Sequence, residues 1–226
     1  MEIDFNEQEK VSFRSFLIFT LFLLTVLNIG FSLNSSYFRI SKVEVIGSTE
    51  LFDEAELIKL AIGQSIWLIN NDSFSNEVLK TPTIESLSIT KNYPNELTIE
   101  LTEYDRILFI TDLRGSVPKK STLYKNMVET DSDKIIDISS LTITNGPVPA
   151  GFNGEMVSLI MTLKSYDLDV YTFNFIYDGE TFIGEYRDTV INFGNPLDLG
   201  SKSSALGSLL EKSECKGEIR FISKED

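Results

Sequence analysis

The feature that most constrains this chain is an uncharged, apolar stretch near its start, over residues 15–38. Its centre is dense in leucine, phenylalanine and isoleucine. A helix needs about 20 apolar residues to cross the hydrocarbon core of a bilayer. Lipid also excludes an open strand, because its backbone polar groups would lack partners there. The stretch therefore predicts a single membrane-spanning helix over residues 15–37.

A cleaved secretory signal is the alternative for this stretch. Such a signal has an apolar region of about 7–15 residues, followed by small residues at the cleavage site. The apolar run here is longer, and residues 28–38 contain no A-x-A-like site. Length and sequence therefore favour an uncleaved anchor over a signal that is removed.

The orientation of the span is predicted from the charges and lengths on its two sides. Lys10 and Arg14 precede the stretch, and Arg39 and Lys42 follow it. The excess of basic residues that marks a cytoplasmic side is therefore tied. Because the segment of residues 1–14 is short, we expect it to remain in the cytoplasm. The chain would then be a single-pass type II protein of the cell membrane.

The charge and composition of the chain exclude several classes of function. The 226 residues carry a formal net charge of −14, which argues against nucleic acid as a partner, since phosphates are bound by clustered Lys and Arg. The same charge predicts a body that stands away from an anionic bilayer. Histidine is absent and Cys215 is the one cysteine. This removes intrachain disulfides, His-dependent nucleophiles and nearly all zinc enzymes.

Residues 38–105 have the pattern of a small α+β domain. Alternating apolar residues predict three strands, at 38–47, 86–90 and 96–103. Two helices are predicted between the first and second strands. Asp53 would cap the first helix, and Gly63 would follow its end. The second would begin at Asp72 or Ser73 and stop before Pro82. The order is strand–helix–helix–strand–strand.

Residues 106–226 are predicted to form a mixed β domain with two helices. Apolar or alternating runs predict strands at 107–111, 121–125, 169–177, 180–186, 189–193 and 218–223. One helix is predicted over residues 153–166 and another over about 202–212, the latter burying Leu206, Leu209 and Leu210. Asp178-Gly179 predicts a two-residue hairpin. The aromatic residues that alternate over 171–177 are expected to share one sheet face and to belong to the core. A binding role for that face is the alternative, since aromatic residues are enriched at interface hot spots.

Several of these positions resemble the POTRA domain of the FtsQ/DivIB family of bacterial cell-division proteins. The matching residues include Val43, Val45, Gly47, Gly63 and Pro82, and the most specific match is the pattern P-x-x-L-x-I-x-L-x-E over residues 94–103. The end of the chain, with Phe193-Gly194, a helix and a closing strand, resembles the family's β domain. The fold class implied is α+β: one N-terminal transmembrane helix, a POTRA domain (β-α-α-β-β) and a mixed β domain with two helices.

The resemblance also implies a function and a binding site. Family membership implies a non-enzymatic protein of the division septum that binds FtsL- and FtsB/DivIC-type partners and regulates septal peptidoglycan synthesis. The family's binding edge is its closing strand, where free N–H and C=O groups allow strand addition. The partner-binding residues expected here are Lys202, Leu206, Glu218, Ile219, Arg220, Phe221, Ile222 and Ser223. Proline at Ile219 or Phe221 is expected to abolish binding. No cofactor, metal or small-molecule substrate is expected.

Two other functions remain open at this point. One is a membrane-anchored cell-wall hydrolase or transpeptidase, for which Ser116 with Lys119 and Ser213 with Lys216 match S-x-x-K. That motif also needs a helix start at the serine, with S-D-N and K-T-G elements that the sequence lacks. The other is a POTRA-type translocation or chaperone module. A repeat of residues 38–104 would favour it, and the sequence shows none.

Overall fold

The structure is a computed structural model, and it describes residues 5–47, 54–132, 138–212 and 216–221. The chain divides between Glu103 and Tyr104 into two compact units. The α+β class is confirmed, since both units combine helices with sheets and a long apolar helix precedes them. The predicted cap Asp53, together with Cys215, Ser213, Ile222 and Ser223, lies outside the described residues.

The first helix, α1, covers Phe5–Asn34. Within the described residues, Phe13–Leu33 is the one stretch long and apolar enough to cross a membrane. Its polar side chains are satisfied locally. The hydroxyl groups of Thr20 and Thr25 and the amide of Asn28 each donate to the carbonyl oxygen four residues earlier, at 2.8–2.9 Å. The helix ends before the predicted position 37, because a 3₁₀ turn, Ser36–Phe38, follows it.

The first unit contains a small sheet flanked by two helices. In chain order its elements are β1 Lys42–Ile46, α2 Glu54–Ala61, α3 Asn71–Val78, β2 Ile84–Asn92 and β3 Glu96–Glu103. Strand β3 lies in the middle of this sheet, parallel to β1 and antiparallel to β2. The predicted element order is therefore confirmed. The first strand is shorter than predicted, because its early residues form the 3₁₀ turn and the segment that follows it.

The core of the first unit follows the predicted alternation. Along β3, Leu97, Ile99 and Leu101 are buried, whereas Glu96 and Glu100 face solvent. The faces of α2 and α3 that meet the core carry Leu57, Ala61, Phe74 and Val78. Helix α3 begins slightly earlier than predicted, because the Asn70 side chain accepts a hydrogen bond from the Asp72 amide at 2.9 Å and caps it.

Gly47 ends β1 in a conformation that favours glycine, with φ of +125°, and a Cβ there would lie 2.1 Å from the Leu101 carbonyl oxygen. Gly63 also has a positive φ, +82°, but a Cβ there would meet nothing within 4 Å. Positive φ alone costs an L-residue about 1–2 kcal/mol. We therefore expect Gly63→Ala to destabilise the first unit by that amount and Gly47→Ala by clearly more.

Chemical unfolding followed by tryptophan fluorescence measures both variants, because Trp67, the chain's one tryptophan, lies in this unit. Equal losses of unfolding free energy in the two variants would show that β3 moves aside at no cost and would contradict the prediction.

The second unit contains a large sheet and two helices. In chain order its elements are β4 Arg106–Asp112, β5 Lys119–Tyr124, β6 Glu129–Asp131, β7 Ser139–Ile143, α4 Phe152–Ser165, β8 Phe173–Tyr177, β9 Phe182–Tyr186, β10 Thr189–Gly194, α5 Leu199–Lys212 and β11 Gly217–Arg220. Among the described residues the strand order is β11-β10-β9-β8-β7-β4-β5-β6. Helix α4 connects the parallel strands β7 and β8, and α5 connects the parallel strands β10 and β11.

The core of the second unit lies between the large sheet and these two helices. Helix α4 buries Met156, Leu159, Ile160 and Leu163, as its spacing predicts. Adjacent strands contribute a cluster of aromatic rings, formed by Phe173, Phe175, Tyr177, Phe182 and Phe193. The expectation that the 171–177 run belongs to the core is confirmed from Phe173 onward. Tyr171 instead lies exposed in the 3₁₀ turn Val170–Thr172.

Three details of the second unit differ from the sequence predictions. Strands β6 and β7 were not predicted. The connection between β8 and β9 has four residues rather than two, and the Asp178 carboxylate accepts bonds from the Glu180 and Thr181 amides, which lower its pKa. Leu209 is exposed rather than buried, because α5 turns Ser203 and Gly207 toward the core instead.

Candidate partner-binding edge

Strand β11 forms one edge of the large sheet. Among the described residues it pairs with β10 alone, in parallel, with Ile219 opposite Ile191. Helix α5 brings the chain from β10 to β11, so the position of the edge depends on how that helix is held. The far side of β11 carries no strand in the described part of the chain.

The backbone groups of β11 divide between β10 and the free edge. The Gly217 amide donates to the Asp188 carbonyl at 3.3 Å, and the Phe221 amide donates to the Asn192 carbonyl at 2.9 Å. Successive residues of an extended strand direct their backbone groups to opposite sides. The Ile219 amide therefore also faces β10. The amides that face the free edge are those of Glu218 and Arg220.

This division corrects the expected effect of proline substitutions. Proline at Ile219 or Phe221 removes an amide that holds β11 on β10, so it damages the sheet itself. Proline at Glu218 or Arg220 removes an amide that an added strand would use. Proline is tolerated at edge positions whose N–H faces outward. The informative positions are thus the two that the sequence prediction did not select for proline.

The side chains of Glu218 and Arg220 pair with each other. The Arg220 Nε atom donates to Glu218 Oε1 at 2.5 Å, and a second guanidinium nitrogen donates to Oε2 at 3.2 Å. These bonds lower the pKa of Glu218 and raise the pKa of Arg220. Both groups are exposed, and exposed pairs contribute little to stability. The pair leaves the backbone of the edge open while offering both signs of charge beside it.

Ile219 and Phe221 anchor the strand to the core. Both side chains are half-buried and pack against the core cluster of the second unit. The rings of Phe221 and Phe193 are nearly parallel, with centroids 5.5 Å apart. The predicted contact of Ile219 and Phe221 with a partner is therefore limited to the part of each side chain that remains exposed.

Leu206 and Lys202 on α5 have structural contacts. Leu206 is 1% exposed and belongs to the core, so its side chain offers almost no surface to a partner in this structure. The ammonium group of Lys202 donates to the carbonyl oxygens of Phe193 and Asn195, at 2.8 and 2.6 Å. Its burial lowers the pKa of Lys202. Lys202 thereby holds α5 to the end of β10.

The start of α5 is held from a second side by α4. The Leu199 amide donates to the Glu155 carboxylate at 2.8 Å. Glu155 lies in the first turn of α4, so one carboxylate joins the starts of both helices. The sequence pattern gave no signal for this contact, because the two residues are far apart in the chain. Together, Glu155 and Lys202 fix the crossover that delivers β11 to the edge.

The geometry around the S-x-x-K match of Ser116 and Lys119 does not support catalysis. Ser116 lies in the turn between β4 and β5, where no helix starts among the described residues. Lys119 donates to Asp131 at 2.9 Å, and this bond raises the pKa of Lys119. A lysine that activates a nucleophile needs a lowered pKa. No group of three or more Asp, Glu, Cys or His that could hold a metal occurs among the described residues.

Comparison with known proteins finds relatives for the first unit and for most of the chain. Residues 38–104 match the family model for the FtsQ-type POTRA domain. The chain is 24% identical over 214 residues to the cell division protein DivIB of Clostridium tetani (strain Massachusetts / E88), covering 88% of this chain and 80% of that protein. The first unit is thus similar to FtsQ-type POTRA domains, and most of the chain is similar to DivIB proteins. DivIB of Clostridium botulinum (strain Hall) is 26% identical over 172 residues, 71% of this chain and 64% of that protein.

These similarities confirm the resemblance to the FtsQ/DivIB family that was drawn from the sequence. The matched range begins at the 3₁₀ turn after α1 and ends just after β3, so the sheet and helices of the first unit are those of a POTRA domain. The DivIB relationships support a role in cell division and extend well beyond that domain. A candidate membrane span precedes it. Of the sheet edges among the described residues, the free edge of β11 is the one that the sequence prediction had selected for partner binding.

Proposed function

We propose that this protein is a non-enzymatic division protein that binds FtsL- and FtsB/DivIC-type single-pass proteins by strand addition at β11 and so regulates septal peptidoglycan synthesis. The observation that carries the proposal is the free edge of β11, described above, in a member of a cell-division family. Strand addition needs a row of backbone groups without partners and side chains beside it that give specificity.

The surroundings of this edge fit an added strand. The outward amides of Glu218 and Arg220 supply main-chain donors, each bond adding about 1 kcal/mol net. On the face of the sheet opposite the helices, Val190 lies beside Glu218 and is partly exposed. A partner strand would thus meet backbone donors, a charged pair and one apolar side chain. The described part of β11 is short, so specificity would depend on those side chains.

The proposed organisation of the chain places this edge outside the cytoplasm. Residues 1–14 would remain in the cytoplasm and residues 15–37 would cross the cell membrane. Residues 38–105 would form the POTRA domain, and residues 106–226 would form the β domain that carries the edge. The apolar helix supports the anchor. Such an anchor keeps the edge near single-pass partners in the same membrane.

Depletion combined with a fluorescent fusion tests the division role. We expect the fusion of the full chain to concentrate at midcell, and cells that lack the protein to form filaments because septal synthesis is not coordinated. A fusion that lacks residues 216–226 serves as the control for partner recruitment. An even membrane distribution of the full chain together with normal division in depleted cells would contradict the proposal.

A further inference from the structure

Four aromatic side chains form a continuous row on the first unit, directly after α1. The row consists of Tyr37, Phe38, Trp67 and Tyr93, whose successive ring centroids lie 5.1, 5.5 and 4.7 Å apart. Tyr37, Tyr93 and Trp67 are 63%, 55% and 45% exposed, whereas Phe38 is partly buried and packs against the core of the first unit. The neighbour of Trp67 in the chain, Leu68, is 67% exposed. Exposed apolar patches mark contact sites. The row therefore indicates a surface that contacts another molecule or a membrane.

Backbone hydrogen bonds join the end of α1 to the segments that carry the aromatic row. The Ser35 amide donates to the Phe31 carbonyl at 2.9 Å, so the turn continues directly from the helix. The Phe38 carbonyl accepts from the Ile66 amide at 2.9 Å, next to Trp67. The Ser41 amide donates to the Asn95 carbonyl at 3.0 Å, near Tyr93. The row is therefore joined to the end of α1 by ordered backbone.

The distance from α1 to the row is short. Tyr37 follows Asn34, the last residue of α1, by three positions. Three residues of extended chain span at most about 10 Å. A helix that crosses a bilayer and ends at this point therefore leaves Tyr37 at the level of the lipid headgroups. The rings of Phe38, Trp67 and Tyr93 extend the row from Tyr37, so the row begins at the level of the headgroups.

The charge beside the row differs in sign from the charge of the whole chain. Residues 35–42, 61–71 and 89–95 carry the four aromatic side chains and contain Arg39, Lys42 and Lys91. The nearest acidic residues along the chain are Asp72 and Glu96, and Glu96 pairs with Lys42 at 3.5 Å. The chain as a whole has a net charge of −14. Charges farther away than about 8–10 Å are largely screened at physiological salt. A membrane surface close to the row would therefore meet aromatic rings with Arg39 and Lys91 beside them rather than the acidic average of the chain.

We propose that the aromatic row docks in the headgroup region of the membrane that α1 crosses. Tryptophan and tyrosine are enriched at this level because their rings are amphipathic. Basic residues near the surface add attraction to anionic lipids. The inference rests on the proposed function only in requiring that α1 spans a membrane. Docking would hold the first unit at a fixed height, in contrast to a body that stands away from the bilayer.

Trp67 provides the measurement, because it is the one tryptophan of the chain. The full chain is reconstituted into vesicles of phosphatidylcholine and phosphatidylglycerol, with iodide present on both sides of the bilayer. We expect Trp67 emission to shift to the blue relative to the protein in detergent. Lipids with brominated acyl chains should quench the Trp67 emission. Quenching of Trp67 by iodide should be several-fold weaker in vesicles than in detergent. Raising the phosphatidylglycerol content should strengthen the bromine quenching.

A pair of matched variants separates docking from burial within the protein. Leu68→Asp places an acid in the surface beside Trp67 and removes little packing, since Leu68 is 67% exposed. We expect it to restore iodide quenching and to abolish bromine quenching. Val117→Asp makes the same charge change at a side chain that is 75% exposed in the second unit. That control should leave both quenching measurements unchanged.

Flotation of the vesicles distinguishes the two ways in which this inference could fail. Protein that does not float with the vesicles would overturn both the membrane span and the docking. Protein that floats while Trp67 stays open to iodide and insensitive to brominated lipid would overturn the docking alone. That second outcome would indicate that the row is a contact site for another protein.

Discussion

Proline at Arg220 is expected to abolish capture of the partner's ectodomain and to leave the second unit folded. The Arg220 amide faces the free edge of β11, because the neighbouring Phe221 amide is already bonded to β10. Proline removes this outward donor and places a ring where an added strand would lie. We expect affinity to fall at least about tenfold, which corresponds to about 1.4 kcal/mol. Glu218→Pro should have the same effect for the same reason.

Two control variants make the proline result specific to the backbone. Arg220→Ala keeps the amide and removes only the exposed ion pair with Glu218, a type of pair that contributes about 0–1 kcal/mol. It should retain most of the binding. Ile219→Pro removes an amide directed at β10, so it should lose both binding and stability. Unchanged pull-down of the partner by both Arg220→Pro and Glu218→Pro would rule out strand addition at β11.

Replacement of Phe193 by alanine is expected to produce the largest loss of stability in the second unit. Phe193 is almost fully buried, and its ring contacts those of Phe175, Phe182 and Phe221. Truncation of a buried Phe to Ala costs about 3–5 kcal/mol, partly through the cavity that remains. A natural domain is stable by only about 5–15 kcal/mol. Because Phe221 packs on Phe193, β11 should be released first and partner binding should fall as well.

Amide hydrogen exchange of the full chain, resolved by mass spectrometry, measures this loss in the second unit. Trp67 fluorescence reports on the first unit in the same sample, and its unfolding transition should not move. Val190→Ala on the same strand is the control, since this side chain is partly exposed on the opposite face of the sheet. Equal exchange rates in Phe193→Ala and Val190→Ala would contradict the assigned role of the aromatic cluster.

The sequence predicted those elements whose burial alternates simply. Strand β3 is the clearest case, because Leu97, Ile99 and Leu101 all face the core and their neighbours face solvent. Strand β7 was missed for a physical reason. Its first inward position is Ser139, which is almost fully buried and satisfies its hydroxyl by donating to the Val170 carbonyl. A buried serine with a distant partner gives no apolar signal in the sequence.

The packing of α5 shows a second limit of sequence reasoning. Leucine spacing predicted that Leu209 faces the core, but Gly207 and Ser203 occupy that face instead. A Cβ at position 207 would lie 2.3 Å from the Tyr166 ring, so this close approach of the chain to Tyr166 requires glycine. Such close packing depends on both elements at once. The edge site had the same limit, since the direction of each β11 amide depends on its pairing with β10.

The parallel pairing of β10 with β11 bears on the order in which the strands of the large sheet are expected to pair during folding. Strands β8, β9 and β10 are joined by short turns, whereas β10 and β11 pair across the segment that contains α5. Contacts that close such a long loop form late in folding, because the loop entropy is lost before they compensate it. We therefore expect β11, the proposed partner-binding strand, to be the last strand of its sheet to form. Chains in which β11 has not yet paired with β10 would lack the proposed partner-binding edge, so we expect partner binding to require a completely folded second unit.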